Sequence, residues 1–202
     1  MFITLEGPEG SGKTTQIAKV AKYLEERGYS VYRTREPGGT AIGDQIRATL
    51  LALGNTEMHP RAEALLLQAS RAQLVEEVIL PRLKAGEIVL CDRYADSTLA
   101  YQGYGHQNDL ASLREIINYA TGGLWPDLTI LLDIDVEEGL KRRNEAGDMN
   151  RLDALELDFH RRVRQGYHQL AKAEPERWVI VKANRSFEAI QQELRKVILE
   201  RL

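Results

Sequence analysis

The sequence predicts an α/β fold, a five-stranded parallel sheet with helices on both faces. Three observations predict it. Strand-like apolar runs alternate with helix-like stretches from one end of the chain to the other. The segment Gly7-Pro8-Glu9-Gly10-Ser11-Gly12-Lys13-Thr14 fits G-x-x-x-x-G-K-[ST] at every fixed position. That segment follows an apolar run, Phe2-Ile3-Thr4-Leu5, and precedes a helix-like stretch, the context in which such a loop binds phosphate.

Phe2 to Leu5 is the first strand. Ile17, Val20, Ala21 and Leu24 then recur at helical spacing until Gly28. Ser30 to Thr34 reads as a second strand, halted by Pro37-Gly38-Gly39, and Ile42 to Leu53 as a short helix. A long helix is expected from Pro60 to about Leu80, kinked or ended by Pro81. Glu87 to Cys91 is the third strand and meets Asp92-Arg93 at its carboxyl end. A helix around Leu110 to Tyr119 precedes the fourth strand, Leu128 to Leu132. The helix Val136 to Arg143 breaks at Gly147-Asp148, and another resumes after Arg151. Trp178 to Val181 is the fifth strand and Phe187 to Leu199 the closing amphipathic helix. With no repeat, low-complexity tract or linker, residues 1–202 are expected to form a single domain.

Composition narrows the partners. Of 202 residues, 43% are hydrophobic and 28% charged, ordinary for a globular protein. A net charge of -3 offers no basic field for nucleic acid or an anionic membrane. Apolar runs such as Ile130-Leu131-Leu132 are too short to span a bilayer, and Met1-Phe2-Ile3 carries no basic leader. Cys91, the single cysteine, excludes an internal disulfide and reads as a small buried hydrophobe. A reducing, cytoplasmic setting is the expectation.

The chemistry begins at the loop. Its glycines let successive backbone N–H groups point at anionic oxygens, and the following helix adds its positive end. Lys13 can reach the β- and γ-phosphates, and the Thr14 hydroxyl can ligate Mg²⁺. Asp92, ending an apolar strand, would hold the same Mg²⁺ directly or through water; the alternative is an aspartate capping the next helix. Arg93 could clamp a second phosphate in bidentate fashion. Further arginines fall into two groups: Arg35, Arg47 and Arg71 in the acceptor half, and Arg142, Arg143 and Arg151 around the polar break. Bringing two phosphates together requires fixed cations. A phosphomonoester acceptor is already anionic at neutral pH, so alignment and charge neutralisation suffice without a general base. His59, His106, His160 and His168 lack metal-ligand spacing.

Taken with Thr34-Arg35-Glu36-Pro37-Gly38-Gly39-Thr40, Asp92-Arg93-Tyr94, Ser97-Thr98-Leu99-Ala100-Tyr101-Gln102-Gly103 and Pro126-Asp127-Leu128, the loop resembles that of thymidylate kinases along the whole chain. The resemblance implies a P-loop, nucleoside-monophosphate-kinase-like three-layer α/β/α fold. It also implies transfer of the γ-phosphoryl of MgATP to dTMP in dTTP synthesis, by a homodimer. Gly7, Pro8, Glu9, Gly10, Ser11, Gly12, Lys13, Thr14 and Thr15 would bind ATP, with Arg185 on the adenine side. Glu9, Glu36, Arg47 and Arg93 would meet the dTMP sugar and phosphate. Arg71, Thr98 and Gln102 would meet the base, and Tyr101 would pack under the deoxyribose, excluding a 2′-hydroxyl. Thr14 and Asp92 would serve the metal. Where some family members carry an arginine inside the P-loop, this chain has Gly10, as in bacterial-type enzymes whose lid supplies the cation. A lid is therefore expected at about 142–151, with Arg143 and Arg151 joining Lys13 and Arg93 in catalysis. Leu67 stands where the family commonly stacks a phenylalanine on thymine, and Asn184 where an aspartate is more usual. The rival readings are a deoxynucleoside kinase, which needs a carboxylate base, and a nucleotide-binding regulator without turnover.

Overall fold

The computed structural model describes residues 1–147 and 150–202. Five parallel strands form one sheet in the order β2-β3-β1-β4-β5: β1 (Phe2–Glu6), β2 (Val31–Arg35), β3 (Ile88–Asp92), β4 (Leu128–Asp133) and β5 (Trp178–Lys182). Side chains alternate between the faces, and each face has its own core. Ile3, Leu5, Leu90, Ile130 and Leu132 pack against α1 (Lys13–Glu25) and α9 (Phe187–Leu199). Phe2, Val89, Cys91 and Leu131 pack against the other layer, drawn from α3 (Pro60–Leu74), α6 (Leu110–Thr121) and α8 (Leu157–Ala173). Burial on both faces is why β1, β3 and β4 read as near-continuous apolar runs, whereas the edge strands β2 and β5 are partly exposed. Among the described residues no helix is long and apolar enough to cross a membrane.

Helix starts follow local chemistry. Thr40 caps α2 (Ala41–Leu51) by accepting from the Gly43 N–H, and Asp109 and Ser186 cap α6 and α9 in the same way. Two stretches depart from the sequence reading. The helix from Pro60 does not end at Pro81. A π-helical segment, Val75–Ile79, follows α3 and leads into α4 (Leu80–Lys84). Pro81 sits in the first turn of α4, where its missing N–H costs least. The second departure is a helix that periodicity did not reveal: α5 (Ala95–Thr98) continuing into a second π-helical segment, Leu99–Gly105. Its residues are buried almost all round, so no amphipathic stripe marks it, and two glycines dilute its propensity. π-Helical turns often accompany functional sites, and this one carries Tyr101 and Gln102. After α7 (Val136–Glu145) the chain reaches α8 through turns over residues 151–155, so the second helix begins later than expected. Asp148 and Met149, at the centre of the expected lid, lie outside the described residues.

Candidate active site

The register of the sheet builds the site. Leu5 pairs with Asp92, so the loop leaving β1 and the end of β3 emerge side by side at the carboxyl edge. Gly7, Gly10 and Gly12 all have positive φ (147°, 67° and 87°), which lets the loop turn back before α1. At Gly7 a Cβ would stand 2.4 Å from the Leu132 carbonyl oxygen, and at Gly10 it would stand 2.0 Å from that of Gly139. The loop therefore lies in backbone contact with β4 and α7. This close packing is the physical reason position 10 holds no side chain.

Lys13 is buried and its Nζ donates to the Gly7 and Pro8 carbonyls at 3.0 and 2.9 Å and to Ser11 Oγ at 3.1 Å. Burial first, then Arg93, lowers its pKa to about 8, against the opposing pull of Glu9, Asp92 and Glu6. The Thr14 hydroxyl donates to Asp92 Oδ2 at 2.5 Å. One hydroxyl and one carboxylate beside a phosphate loop suit Mg²⁺, which keeps several waters and takes its remaining ligands from phosphates. The helix-capping alternative for Asp92 fails, since α5 has no side-chain cap and its Ncap position is Tyr94.

Arg93 has φ 69°, in the left-handed region that a side chain occupies only at a cost. A dense set of contacts holds it there. Nη1 donates to the Gly7 carbonyl, Ser97 Oγ and the Tyr167 hydroxyl, and Nη2 donates to Glu9 Oε1 at 2.7 Å and the Tyr101 hydroxyl at 3.0 Å. Burial works to raise the Glu9 carboxyl, but Arg93, Lys13, the Tyr101 hydroxyl and Arg143 outweigh it and hold it at about 2. Behind Arg93, Glu6 accepts from the Tyr94 N–H, Ser97 Oγ and the Tyr167 hydroxyl. Burial, followed by the nearby Asp96, lifts its pKa to about 7.

These groups open onto one cleft of about 760 Å³. Glu9, Gly10, Gly12, Lys13, Thr14, Thr15 and Asp92 line one part of it. Glu36, Arg47, Leu67, Arg71, Thr98, Tyr101 and Gln102 line another, with Arg93 between and Arg143 on the lid side. Of the expected loop residues, Gly7, Pro8 and Ser11 contribute from behind, as the groups that hold Lys13. Arg47 donates to the Pro37 carbonyl at 2.9 Å. Arg71 is fully buried and its guanidinium hydrogens are engaged by Glu36, Gln68, Thr98 and the Tyr94 carbonyl. Burial pushes the Glu36 carboxyl up, Arg71 opposes that rise, and Arg71 itself is held charged.

Two expectations need correction. Arg151 does not line the cleft. It is buried, its Nε donates to the Leu50 carbonyl at 3.0 Å, and its Nη2 pairs with Glu63 on α3. A buried carboxylate and a helix-end carbonyl have captured it. Arg185 is also outside the cleft: it is exposed at the start of α9 and bound to Glu193 and the Ala189 carbonyl. Arg143 does line the cleft, with its Nε donating to Asp153 Oδ2 at 3.1 Å. Sequence reasoning missed Glu63, Ser97 and Tyr167. Ser97 adjoins Thr98 in the motif already noted, whereas nothing local marks Glu63 or Tyr167.

Comparisons with known proteins show the family. The family model for thymidylate kinase matches residues 5–194. The thymidylate kinase of Deinococcus radiodurans is 51% identical over 201 residues, covering 100% of this chain and 97% of its own. That of Roseiflexus castenholzii is 53% identical over 211 residues, covering 98% of this chain and 92% of its own. The crystal structure of thymidylate kinase from Ehrlichia chaffeensis superposes with a TM-score of 0.80 at 33% identity, covering 98% of each chain. This chain belongs to the thymidylate kinase family, the phosphotransferases that convert dTMP to dTDP with ATP.

Proposed function

We propose that the chain transfers the γ-phosphoryl of MgATP to dTMP, giving dTDP and ADP, through the residues that line this one cleft. The observation that carries the reading is that the phosphate loop, the Asp92-Arg93 strand end and the Glu36–Arg71 pair face a common volume. Lys13 and the loop N–H groups hold the donor phosphates. Thr14 and Asp92 would hold Mg²⁺, which supplies charge neutralisation across the phosphates. Arg47 and Arg93 hold the dTMP phosphate, with Tyr101 against its sugar. Thr98 and Gln102 meet the base edge, Arg71 reaches it by exchanging one of its present partners, and Leu67 covers its face. Arg143 supplies the lid cation that Gly10 does not. The acceptor phosphate carries its own negative charge, so the residues need only align it and offset the charge that builds up.

Two carboxylates of the cleft are tied to arginines, Glu9 to Arg93 and Glu36 to Arg71, which leaves neither free as a base for a nucleoside. A hydroxyl acceptor needs a base whose pKa lies near the working pH. Glu9, held at about 2, is a poor proton acceptor and serves instead to anchor Arg93. ADP release measured with dTMP, dUMP, thymidine and no acceptor tests the reading. Turnover is expected with dTMP foremost and close to background with thymidine; rapid turnover of thymidine would overturn it. We also infer a homodimer, supported by exposed Leu65 on α3 and exposed Tyr119 on α6, and place it in the cytoplasm on the expectation from its single buried cysteine.

A further inference from the structure

Behind the cleft wall, on the side away from the phosphates, lies a buried polar cluster. Glu63, on α3, is almost wholly inaccessible. Its Oε1 accepts from Gln102 Nε2 at 2.7 Å, and its Oε2 pairs with Arg151 Nη2. His106 Nε2 lies 3.2 Å from Oε1, out of line for a hydrogen bond. Gln102 is itself buried yet lines the cleft, and its Oε1 has no hydrogen-bond partner.

We propose that Glu63 is a positioning residue for base selection: it fixes the Gln102 amide so that Oε1, an acceptor, is left for the base. The inference rests on the reading above, in which Gln102 meets the base edge. A carboxylate has only acceptors to offer. Whichever way an amide is drawn, its NH₂ must turn toward Glu63 and its carbonyl away, so the polarity follows from charge and not from the placement of two similar atoms. Glu63 stays ionised. Burial works to raise its carboxyl, but the facing His106 side chain and the hydrogen bonds from Arg151 and Gln102 overcome this and hold it below the usual carboxylate range.

The chemical consequence is selective. Thymine presents an N–H donor at N3, and cytosine presents a bare acceptor there. An outward Oε1 satisfies the first and repels the second. Nothing in Gln102 alone makes that choice, because an unrestrained amide can rotate and offer its NH₂.

The test is the ratio of dCMP to dTMP dissociation constants, measured by titration calorimetry on the full chain, with dCMP read by competition. Glu63→Gln can donate as well as accept, so Gln102 can turn, and the ratio is expected to fall about tenfold, the size of one hydrogen bond. Arg151→Lys keeps a cation beside Glu63 and does not touch the amide, so it should leave the ratio unchanged. If Glu63→Gln folds poorly, pairing it with Arg151→Gln leaves no buried charge unmatched, and the same fall is expected. Gln102→Leu separates the two levels of the argument. A ratio that falls in Gln102→Leu but holds in Glu63→Gln overturns the role of Glu63 alone. A ratio unmoved in both shows that Gln102 does not meet the base, and the underlying reading fails with it. A fall in Arg151→Lys equal to that in Glu63→Gln would assign the effect to the geometry of the ion pair and also overturn the proposal.

Discussion

Burial pulls Lys13 toward neutrality, and the carboxylates around it work to keep it charged. Its present partners, two loop carbonyls and Ser11 Oγ, are the ones a donor phosphate would replace. Lys13→Ala should therefore lower kcat by roughly 10²-fold or more, as when an electrostatic donor to the transition state is removed. Thermal stability should change little, and near-normal turnover would remove the loop lysine from the mechanism. Glu6 makes a pH prediction of unusual sign. Its carboxyl is raised from 4.5 to about 7, by burial first and Asp96 second, against Ser97, Arg93 and the Tyr94 N–H. A raised acid binds its proton more tightly in the folded chain, so its contribution is full below the unfolded value and is lost as pH rises through the folded one. The loss is on the order of 3 kcal/mol by neutral to alkaline pH. Glu6→Gln should thus be more stable than the parent at about pH 8, with the advantage shrinking toward pH 5. Urea denaturation at the two pH values checks it, and an advantage that grows toward acid would refute the assignment.

At the scale of elements, α7 and the loop beneath it form one device. A Cβ on Gly139 would meet the Glu9 carbonyl oxygen at 2.3 Å, and one on Gly10 would strike Gly139. The helix bearing Arg142 and Arg143 is therefore seated directly on the phosphate loop. The two lid arginines then part company. Arg143 faces the cleft and Arg151 is sunk between α2 and α3. Arg143→Ala should lower kcat with a smaller fall in melting temperature, because Asp153 keeps its hydrogen bonds from Asn150. Arg151→Ala should do the reverse, because it strands Glu63; breaking a buried pair from one side costs about 3–5 kcal/mol. Melting curves beside steady-state rates decide it, and a large kcat loss at unchanged stability in Arg151→Ala would restore the catalytic role the sequence suggested. Element type was legible wherever one face was apolar and the other wet, as in α9, whose limits the periodicity placed at Phe187 and Leu199. It failed at Ala95 to Gly105, where burial on all sides erases the period; at Pro81, expected to kink or end the helix, the chain stays helical to Lys84 after a π-helical segment just upstream.

Across the whole molecule, what could be read from the sequence is the part of the site held by contiguous segments. Lys13, Thr14, Asp92 and Arg93 sit in motifs whose spacing carries their meaning, and all four meet in the cleft. What stayed hidden depends on distant pairings: Glu63 with Arg151, and Tyr167 with Arg93 and Glu6, each joining residues far apart in the chain. The same long-range view bears on assembly. Helix α3 carries Arg71 and Leu67 into the cleft and Glu63 behind it, while Leu65 is turned to solvent, 58% exposed. Its neighbour α6 bears Tyr119, 93% exposed. Large apolar side chains left out on two packed helices suit a self-complementary patch, and a stable dimer must bury roughly 800 Å² per partner. Sedimentation at micromolar concentration is expected to give twice the 22.8 kDa chain mass, and Leu65→Glu should shift it to the monomer. Because α3 also forms the acceptor wall, the monomeric variant should show a raised KM for dTMP and an unchanged KM for ATP. A parent protein that sediments at the chain mass, or a Leu65→Glu variant that stays dimeric, would remove this face from the assembly.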